Sequence, residues 1–250
     1  MINMKKKLIP TLLGFFILNV LWWLASIQVN QSMLPSPTSV YKHFGTMDLT
    51  MMSIHTYNSF IRLFWGLFLA VLIGFAVGLL MGRSDRWNRW LDPIVYLTYP
   101  IPKVALLPII MLLFGLGNLS KIILIVLIVV FQVILSVRDG IRGISPSYYN
   151  HLTVLGASRW QLFTEVTLPA AVAAILSAVR IALGTAIAIL FFTEVYGTEY
   201  GLGYFIMDAW GRLNYLDMYC GILILSLLAF LLFLVIDLIE NSLLKWHKYT

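Results

Sequence analysis

Residues 122–137 read IILIVLIVVFQVILSV without a single charged residue, and Lys121 and Arg138 stand directly at the two ends. A helix that crosses the apolar part of a bilayer needs about 20 mostly apolar residues. This stretch is shorter, but the long side chains of a flanking lysine and arginine can reach the membrane surface and lengthen the effective span. We therefore interpret the stretch as a transmembrane helix.

The same pattern recurs along the 250 residues, of which 60% are hydrophobic and only 11% are charged. Soluble globular domains carry about 25% charged residues, so the composition excludes a self-contained soluble enzyme. The apolar runs predict an all-α polytopic membrane protein that forms a single transmembrane domain over residues 1–250, without a sizeable aqueous domain. The six predicted transmembrane helices cover residues 8–28, 60–82, 94–116, 120–138, 170–194 and 218–238.

Lysine and arginine are distributed unevenly between the two sides of these six predicted spans. With a cytoplasmic N terminus, eleven of them fall in cytoplasmic segments and three in outer loops. The positive-inside rule therefore predicts that both termini are cytoplasmic. The net charge of +6 then reflects topology rather than a nucleic-acid partner. The cytoplasmic group is Lys5, Lys6, Lys7, Arg83, Arg86, Arg89, Arg138, Arg142, Arg159, Lys245 and Lys248, and the outer group is Lys42, Lys121 and Arg212.

Small residues recur every four positions in the second span, at Gly66, Ala70, Gly74, Gly78 and Gly82. This spacing places them on one face of a helix, where another backbone can approach closely. The fifth span repeats the pattern, so we expect both stripes to serve close helix packing. Its small residues are Ala170, Ala174, Ala178, Ala182 and Ala186.

The third span contains Pro100, Pro102 and Pro108 together with Lys103. Each proline removes a backbone donor, and irregular backbone at membrane depth is tolerated where it is buried in protein or lines a wet cavity. We therefore predict that this span forms a wall of a translocation pathway. Because a charge at this depth costs roughly 2.5 to 3.5 kcal/mol, Lys103 should face the bundle interior. It would either attract an anionic substrate or pair with carbonyls or a glutamate, and Arg180 in the fifth span has the same two interpretations.

The longest connection on the predicted cytoplasmic side covers residues 139–169. Serine followed by proline is typical of a helix start, and glycine is typical of the position just after a helix end. These signals predict two short helices before the fifth span begins. The predicted starts are Ser145-Pro146 and Ser158, and the predicted ends are Gly156 and Leu168-Pro169.

Four large apolar side chains interrupt this otherwise polar connection, at Leu152, Leu155, Trp160 and Phe163. Such a surface suits insertion into the groove of a partner protein. The pattern is equally compatible with packing of the connection on its own helix ends.

Residues 155–163, LGASRWQLF, and 166–171, VTLPAA, resemble the cytoplasmic loop that characterises binding-protein-dependent ABC importer permeases. That loop reads EAA, three residues, glycine, nine residues, Ile-x-Leu-Pro. The glycine corresponds to Gly156, and the Leu-Pro pair also falls in register. Asn150, His151 and Leu152 stand in place of EAA. A salt bridge from that glutamate is therefore not expected, whereas Leu152 can still offer an apolar contact.

Several further stretches are similar to the nitrate/sulfonate/taurine branch of these permeases, and the resemblance covers about residues 34–240. The stretches are Leu34-Pro35-Ser36-Pro37, Ser59-x-x-Arg62, Asp92-Pro93, Ile101-Pro102-x-x-Ala105-x-x-Pro108, Phe114-Gly115-x-Gly117, and Glu194 with Gly201-Leu202-Gly203-Tyr204.

The resemblance implies a type I ABC importer permease in the bacterial inner membrane. Two copies would form one translocation path and assemble with two ATP-binding subunits and an extracytoplasmic solute-binding protein. ATP and Mg²⁺ would bind to the ATPase chains, since this sequence has no GxxxxGK[ST] phosphate loop, and we expect no cofactor, metal or catalysis on this chain. The residues implied in coupling to the ATPase are Leu152, Leu155, Gly156, Ala157, Trp160, Phe163 and Pro169. Those expected at an outer gate or binding-protein docking site are Glu194, Gly201 and Gly203.

Two other classes of protein share this composition. An intramembrane enzyme would need a nucleophile with a base, or a metal cluster, at membrane depth, yet the histidines all fall outside the predicted spans, with His55 in an outer loop. An ion-coupled secondary transporter would show an internal repeat and carboxylates inside its spans. For an importer of this branch we expect a sulfonate, taurine or nitrate-like anion, or a thiamine-precursor pyrimidine or riboflavin-like solute.

Overall fold

A computed structural model describes residues 4–29 and 33–244 of the chain. Lys245, His247 and Lys248 lie outside the described residues, as do the side chains of Lys5, Lys6 and Lys7. The α-helices in the described part are α1 (Met4–Gln28), α2 (Pro37–His43), α3 (Leu49–Arg83), α4 (Asp85–Thr98), α5 (Leu107–Phe114), α6 (Asn118–Arg142), α7 (Pro146–Val154), α8 (Arg159–Leu162), α9 (Leu168–Glu194), α10 (Leu202–Gly211) and α11 (Tyr215–Leu243). Short 3₁₀ helices cover Phe44–Thr46 and Lys103–Leu106, and a π-helical turn covers Phe163–Thr167.

Five of the described helical segments are long and apolar enough to cross a membrane: Ile9–Gln28, Leu49–Arg83, Asn118–Arg142, Arg159–Glu194 and Tyr215–Leu243. A sixth candidate is a broken span, in which Asp85–Thr98 and Lys103–Phe114 meet at a bend of 78°. The predicted all-α architecture is therefore confirmed. Because α3 is 35 residues long, its first turns extend beyond the predicted span 60–82.

The third span differs from the single helix predicted for residues 94–116. Its first half, α4, already begins at Asp85, where the side chain of Ser84 accepts a hydrogen bond from the N–H of Trp87. The helix stops before Pro100 and Pro102, since neither residue has an N–H to continue the hydrogen-bond ladder. Pro108 lies in the first turn of α5, where the missing donor costs nothing.

The glycine stripe of α3 lies directly against α6. The spacing of small residues predicts such a close contact, and the structure identifies its partner. A methyl group added at Gly78 would come within 2.8 Å of the carbonyl oxygen of Ile134, so the two helices are in close contact. The α9 stripe serves the same purpose, because a methyl group at Gly140 of α6 would lie 2.6 Å from Cβ of Ala174. The facing pairs between α3 and α6 are Gly66 with Ile125, Gly74 with Val133, Gly78 with Val137, and Gly82 with Ile141.

The order of these pairs shows that α3 and α6 run parallel, because both partners advance along the chain together. At the beginning of the contact, Nε of Arg62 donates to Oδ1 of Asn118 at 2.8 Å. Two parallel spans start on the same side of a membrane, so the chain from Arg83 to Asn118 has to cross back between them. This geometry indicates a crossing span rather than a re-entrant loop, so the described part of the chain contains six candidate spans, the number predicted from the sequence.

The described residues group into two compact units. One contains the residues up to Ser59 together with Glu194–Leu228, and the other contains Phe60–Thr193 and the residues from Ala229 onward. In the first unit, the ring of Trp22 lies 6.3 Å from that of Tyr41 and 5.8 Å from that of Tyr219.

In the second unit, ion pairs join the end of α6 to α4. Nη2 of Arg142 lies 2.7 Å from Oδ1 of Asp85, and Arg138 pairs with Asp92. These contacts fix the beginning of the broken span against the end of α6.

Candidate functional site

The hairpin formed by residues 146–167 begins as the sequence predicts. The side chain of Ser145 accepts a hydrogen bond from the N–H of Ser147, and Pro146 occupies the first turn of α7. The helix ends before Gly156, whose φ of +83° is a conformation that side chains with a Cβ rarely adopt. Ser158 and Gln161 then form a capping box at the start of α8.

The end of the hairpin differs from the prediction. Leu168-Pro169 does not terminate the second short helix, because the helical segment continues from Arg159 to Glu194. A π-helical turn makes this possible: the N–H of Leu168 bonds to the carbonyl of Phe163, five positions earlier. Widening of the turn accommodates a proline that has no N–H and whose ring would crowd the preceding turn. Pro169 therefore lies in the first turn of α9.

The apolar side chains of the hairpin divide into exposed and supported ones. Leu155 and Trp160 are 81% and 71% exposed, whereas Leu152 and Phe163 are half-buried. The ring of Phe163 lies 5.5 Å from that of Trp160, and the guanidinium carbon of Arg83 lies 4.8 Å from its centroid. The hairpin thus presents an apolar tip on a base that is attached to the end of α3.

A second attachment joins the two helices of the hairpin at its base. The hydroxyl of Tyr149 lies 3.1 Å from that of Thr167, so α7 is connected to the π-helical turn. Ala157 and Pro169 are both half-buried. The base of the hairpin is therefore connected on both of its helices to the segment that continues into α9.

Lys103 binds to backbone at the break of the third span. Its ammonium group donates to the carbonyl oxygens of Thr98 at 2.9 Å and Tyr99 at 2.8 Å. It also lies 4.5 Å from the ring centroid of Phe131 on α6. The lysine therefore satisfies the carbonyl groups that the end of α4 leaves without a helical partner.

Lys121 has the same function at the other end of the broken span. The charge count along the sequence predicts an outer-loop position for this lysine, but it is a fully buried residue of α6. Its ammonium group donates to the carbonyl oxygens of Leu116 at 2.6 Å and Gly117 at 3.3 Å. At the end of each half of the broken span, the ammonium group of a lysine thus binds backbone carbonyl oxygens.

Arg180 is held by carboxylates. Its guanidinium group pairs with Asp237 and lies 3.5 Å from Oε2 of Glu240, both on α11. The side chain is 43% exposed in the isolated chain. Among the residues predicted for the pathway, Pro100, Pro102 and Lys103 come together at the break, while Arg180 belongs to this separate charged group.

A buried polar cluster surrounds Glu194, the last residue of α9. Its carboxylate is fully buried and accepts a hydrogen bond from the N–H of Gly203 at 2.8 Å. The hydroxyl of Ser59 bonds to this carboxylate and accepts the N–H of Leu202 at 2.8 Å. We call Ser59, Glu194, Leu202 and Gly203 the Glu194 cluster. In this conformation the carboxylate of Glu194 binds groups inside the protein, so its predicted role at an outer gate or docking site stays a prediction.

His55 supports the same turn, although the sequence predicts that it lies in an outer loop. It is a buried residue of α3, and its Nδ1 lies 3.1 Å from both the backbone nitrogen and the carbonyl oxygen of Gly201. Gly201 has a φ of +138°, which favours glycine at this position. The period of α3 could have revealed His55, because Ser59 follows it four positions later on the same helix face.

Residues 66–246 match the family model of the binding-protein-dependent transport system inner membrane component. The taurine transport system permease protein TauC of Escherichia coli is 34% identical over 239 residues, covering 92% of this chain and 86% of that protein. The formylaminopyrimidine transport permease protein ThiX of Halalkalibacterium halodurans is 31% identical over 240 residues and covers 96% of both chains. The nitrate import permease protein NrtB of Leptolyngbya laminosa is 27% identical over 246 residues, covering 94% of this chain and 88% of that protein.

Among solved structures, the inward-facing MetNI methionine ABC transporter contains a chain that matches with a TM-score of 0.66 at 22% identity, over 79% of this chain and 99% of that one. A chain of the bacterial alginate ABC transporter also matches with a TM-score of 0.66, at 17% identity and over 96% and 94% of the two chains. These likenesses establish the type I importer permease fold. With the family match over most of its length, the chain belongs to the binding-protein-dependent transport system inner membrane components, in the branch of the taurine, sulfonate and nitrate permeases.

Proposed function

We propose that two copies of this chain form the translocation path of an ATP-driven importer. Two ATPase subunits would bind on the cytoplasmic side, to which the positive-inside rule assigns both termini, and a solute-binding protein would dock on the outer side. ATP and Mg²⁺ would be bound by the ATPase subunits, so this chain would act as a permease without catalysis. The helix bundle would alternate between outward-open and inward-open forms and would thereby carry the solute across the membrane.

The observation that carries this proposal is the hairpin at residues 146–167. Its exposed Leu155 and Trp160 form an apolar tip that water solvates poorly, which is the character of a surface covered by a partner. The glycine turn and the capping box hold the tip in one conformation. A pre-organised apolar projection of this kind suits insertion into a groove of the ATPase.

The substitution of Asn150-His151-Leu152 for the usual EAA changes how this contact would be stabilised. No carboxylate is available at Asn150 for a salt bridge to the ATPase. We infer that apolar burial supplies most of the contact free energy, at about 25 cal/mol per Å² of apolar surface removed from water. The interface should therefore depend only weakly on salt.

The continuous helical segment Arg159–Glu194 provides the path from this contact into the membrane. Closure of the ATPase dimer would push on the tip, and the attachments of Phe163 and Thr167 would transfer the movement to α9. Pro169 lies in the first turn after the π-helical turn, so we assign it the role of a stiff joint. The far end of the same helix is Glu194, which holds the turn before α10.

The broken third span would line the translocation path, with Pro100, Pro102 and Pro108 producing the irregular backbone. Lys103 is engaged by carbonyl groups and Arg180 by Asp237 and Glu240. Neither cation is therefore available as a free anion-binding group in this conformation. We propose, from similarity to the taurine, sulfonate, nitrate and formylaminopyrimidine permeases, that the solute is a small anion or a thiamine-precursor pyrimidine.

Reconstitution of the permease with its ATPase subunits in liposomes tests this proposal. Radiolabelled taurine, nitrate and formylaminopyrimidine would be offered from outside, with and without ATP in the lumen and with and without each candidate binding protein. We expect uptake of one of these solutes only when ATP and a binding protein are both present.

The two rival classes give different results in the same experiment. Uptake that follows a proton or sodium gradient without ATP would identify a secondary transporter. Chemical conversion of the solute or of a lipid by the permease alone would identify an enzyme. Either result would overturn the proposal.

A further inference from the structure

A small cavity of about 340 Å³ lies at the base of the hairpin formed by residues 146–167. Three elements border it: Gly82 and Arg83 at the end of α3, Ile141 near the end of α6, and the hairpin itself. Pockets for small molecules have volumes of about 300–1,000 Å³. A small ligand in this cavity would therefore contact the ends of two spans and the hairpin at once.

The charge of the cavity comes from Arg83 and Arg159, which lie far apart in the sequence but line the same space. No carboxylate is among the side chains that line it. The neighbouring Arg138 and Arg142 on α6 both pair with carboxylates, whereas no described residue forms an ion pair with Arg83 or Arg159. The cavity therefore carries two positive charges that the described part of the chain does not neutralise.

Both arginines adjoin the ring of Phe163. The guanidinium carbon of Arg83 lies 4.8 Å from the centroid of this ring, and the backbone N–H of Phe163 bonds to the carbonyl of Arg159, one helical turn earlier. A guanidinium group that contacts a ring through its face keeps the N–H groups at its edge for an acceptor. Because both side chains line the cavity, they can donate to one ligand inside it.

Two hydroxyl groups complete the polar lining. Thr167 is 2% exposed, and its hydroxyl lies 3.1 Å from that of Tyr149, with either group able to donate. When Thr167 donates, the O–H of Tyr149 remains for a ligand. The side chains around the cavity thus offer several donors and no anionic acceptor, so they favour a ligand that is negatively charged and accepts hydrogen bonds. A phosphate or sulfonate group has this character, and two of its oxygens match the planar fork of arginine.

We propose that this cavity binds a tetrahedral oxyanion, a phosphate or sulfonate group, which Arg83 and Arg159 hold with the hydroxyl of Tyr149 as a further donor. Soluble phosphate, a free sulfonate and a phospholipid headgroup all offer this group. The bound anion would join the end of α3 to the start of α8 and stiffen the base of the hairpin. Binding requires only the permease chain, so it does not depend on the proposed function.

The full-length permease in nanodiscs of phosphatidylcholine tests the soluble source. Inorganic phosphate and methanesulfonate would be titrated by calorimetry at constant ionic strength, and hydrogen exchange would locate the site. We expect saturable binding of at least one anion and slower exchange of the amides of residues 159–167. Arg83→Gln and Arg159→Gln should each weaken binding about tenfold or more, because each removes hydrogen bonds to a charged group.

Matched variants separate this site from general attraction by positive charge. Arg86→Gln removes the same charge from an exposed arginine in the first turn of α4 that does not line the cavity, so it should bind like the wild type. Arg159→Lys keeps the charge but loses the planar fork, and its affinity should be intermediate. Melting temperatures without anion show whether each variant keeps its fold. Arg159→Gln is the decisive variant, because Arg83 also supports the ring of Phe163.

Nanodiscs that also contain phosphatidylglycerol, without added anion, test the lipid source. If a headgroup occupies the cavity, the same amides exchange more slowly in these nanodiscs than in phosphatidylcholine alone, and Arg159→Gln removes the difference. Binding from either source supports the proposal. Absence of binding and of protection in both kinds of nanodisc would overturn it, as would binding that Arg159→Gln leaves unchanged or that Arg86→Gln weakens equally.

Addition of the ATPase subunits tests the remaining occupant, a carboxylate of that protein. Anion affinity that persists in the complex supports the proposal. Loss of affinity on assembly would assign the two arginines to the ATPase and overturn it. If the permease binds no ATPase at all, the proposed function fails, whereas the anion measurement on the permease alone still decides this proposal.

Discussion

The hydroxyl oxygen of Ser59 lies 2.8 Å from both carboxylate oxygens of Glu194, which follows 135 positions later in the chain. The same oxygen accepts the N–H of Leu202. One small side chain thus connects the early part of α3, the end of α9 and the start of α10. All three groups are buried, so their hydrogen bonds cannot be replaced by water.

Removing this hydroxyl should destabilise the protein. Ser59→Ala leaves the buried N–H of Leu202 without its acceptor, which costs about 1–3 kcal/mol. We expect a lower melting temperature for the variant in detergent or nanodiscs, measured by tryptophan fluorescence. Ser53→Ala is the matched control on the same helix, because its exposed hydroxyl bonds only to the carbonyl of Thr50. Equal melting temperatures for the two variants would contradict the importance of the Glu194 cluster.

The contact between α3 and α6 should not tolerate one added methyl group. In Gly78→Ala, Cβ would lie 2.8 Å from the carbonyl oxygen of Ile134 and from Cβ of Val137. The helices would have to separate, at a cost of about 1–3 kcal/mol, and thermal unfolding should report it. Gly14→Ala, on α1, meets no atom within 4 Å and should be neutral or slightly stabilising. A neutral Gly78→Ala would be inconsistent with close contact at this position.

Lys103→Met should lower the stability of the protein, because backbone carbonyl groups lose a hydrogen-bond donor, and it should not act through substrate binding. The carbonyl groups of Thr98 and Tyr99 would lose their charged donor, at about 1–3 kcal/mol. We expect a lower melting temperature and lower uptake of charged and neutral solutes alike. Lys42→Met, at an exposed position, serves as the control. A variant of normal stability whose KM rises only for anions would show instead that Lys103 attracts the substrate.

Gly156 should tolerate asparagine but not valine. No atom lies close enough to obstruct a side chain at this position, so the backbone conformation with φ of +83° decides the outcome. Valine opposes that conformation by at least 1–2 kcal/mol, whereas asparagine accepts it more readily. We expect Gly156→Val to lower the amount of solute imported per ATP hydrolysed and Gly156→Asn to retain it. If Gly156→Val imported as much solute per ATP hydrolysed as the wild type, the proposal that the hairpin couples the ATPase to transport would be wrong.

The regular parts of this fold follow directly from the sequence, because each depends on a local pattern. The run at residues 122–137, the glycine stripe of α3 and the serine caps of the hairpin all operate within one or two helical turns. Apolar periodicity therefore predicts the spans other than the break in the third one, and small-residue spacing predicts that α3 makes a close helix contact, although not that its partner is α6.

The parts that were not predicted depend on partners far away in the chain. His55 was interpreted as a loop residue because its partner, Gly201, lies 146 positions later. Lys121 was interpreted as a flanking charge because sequence spacing does not show that the carbonyls of Leu116 and Gly117 turn back toward its ammonium group. The continuity of the helix through Pro169 depends on a π-helical turn, for which the sequence carries no distinct signal.

The parallel arrangement of α3 and α6 also constrains the order in which the protein can be assembled during membrane insertion. The glycine face of α3 can meet α6 only after the intervening segment has been threaded across the bilayer. That segment carries Arg86, Arg89 and Asp92 in its first half, so it inserts poorly by itself. Once α6 has packed against α3, this contact would prevent the broken span from leaving the membrane again. The glycine stripe would therefore join α3 to α6 and also retain the span between them.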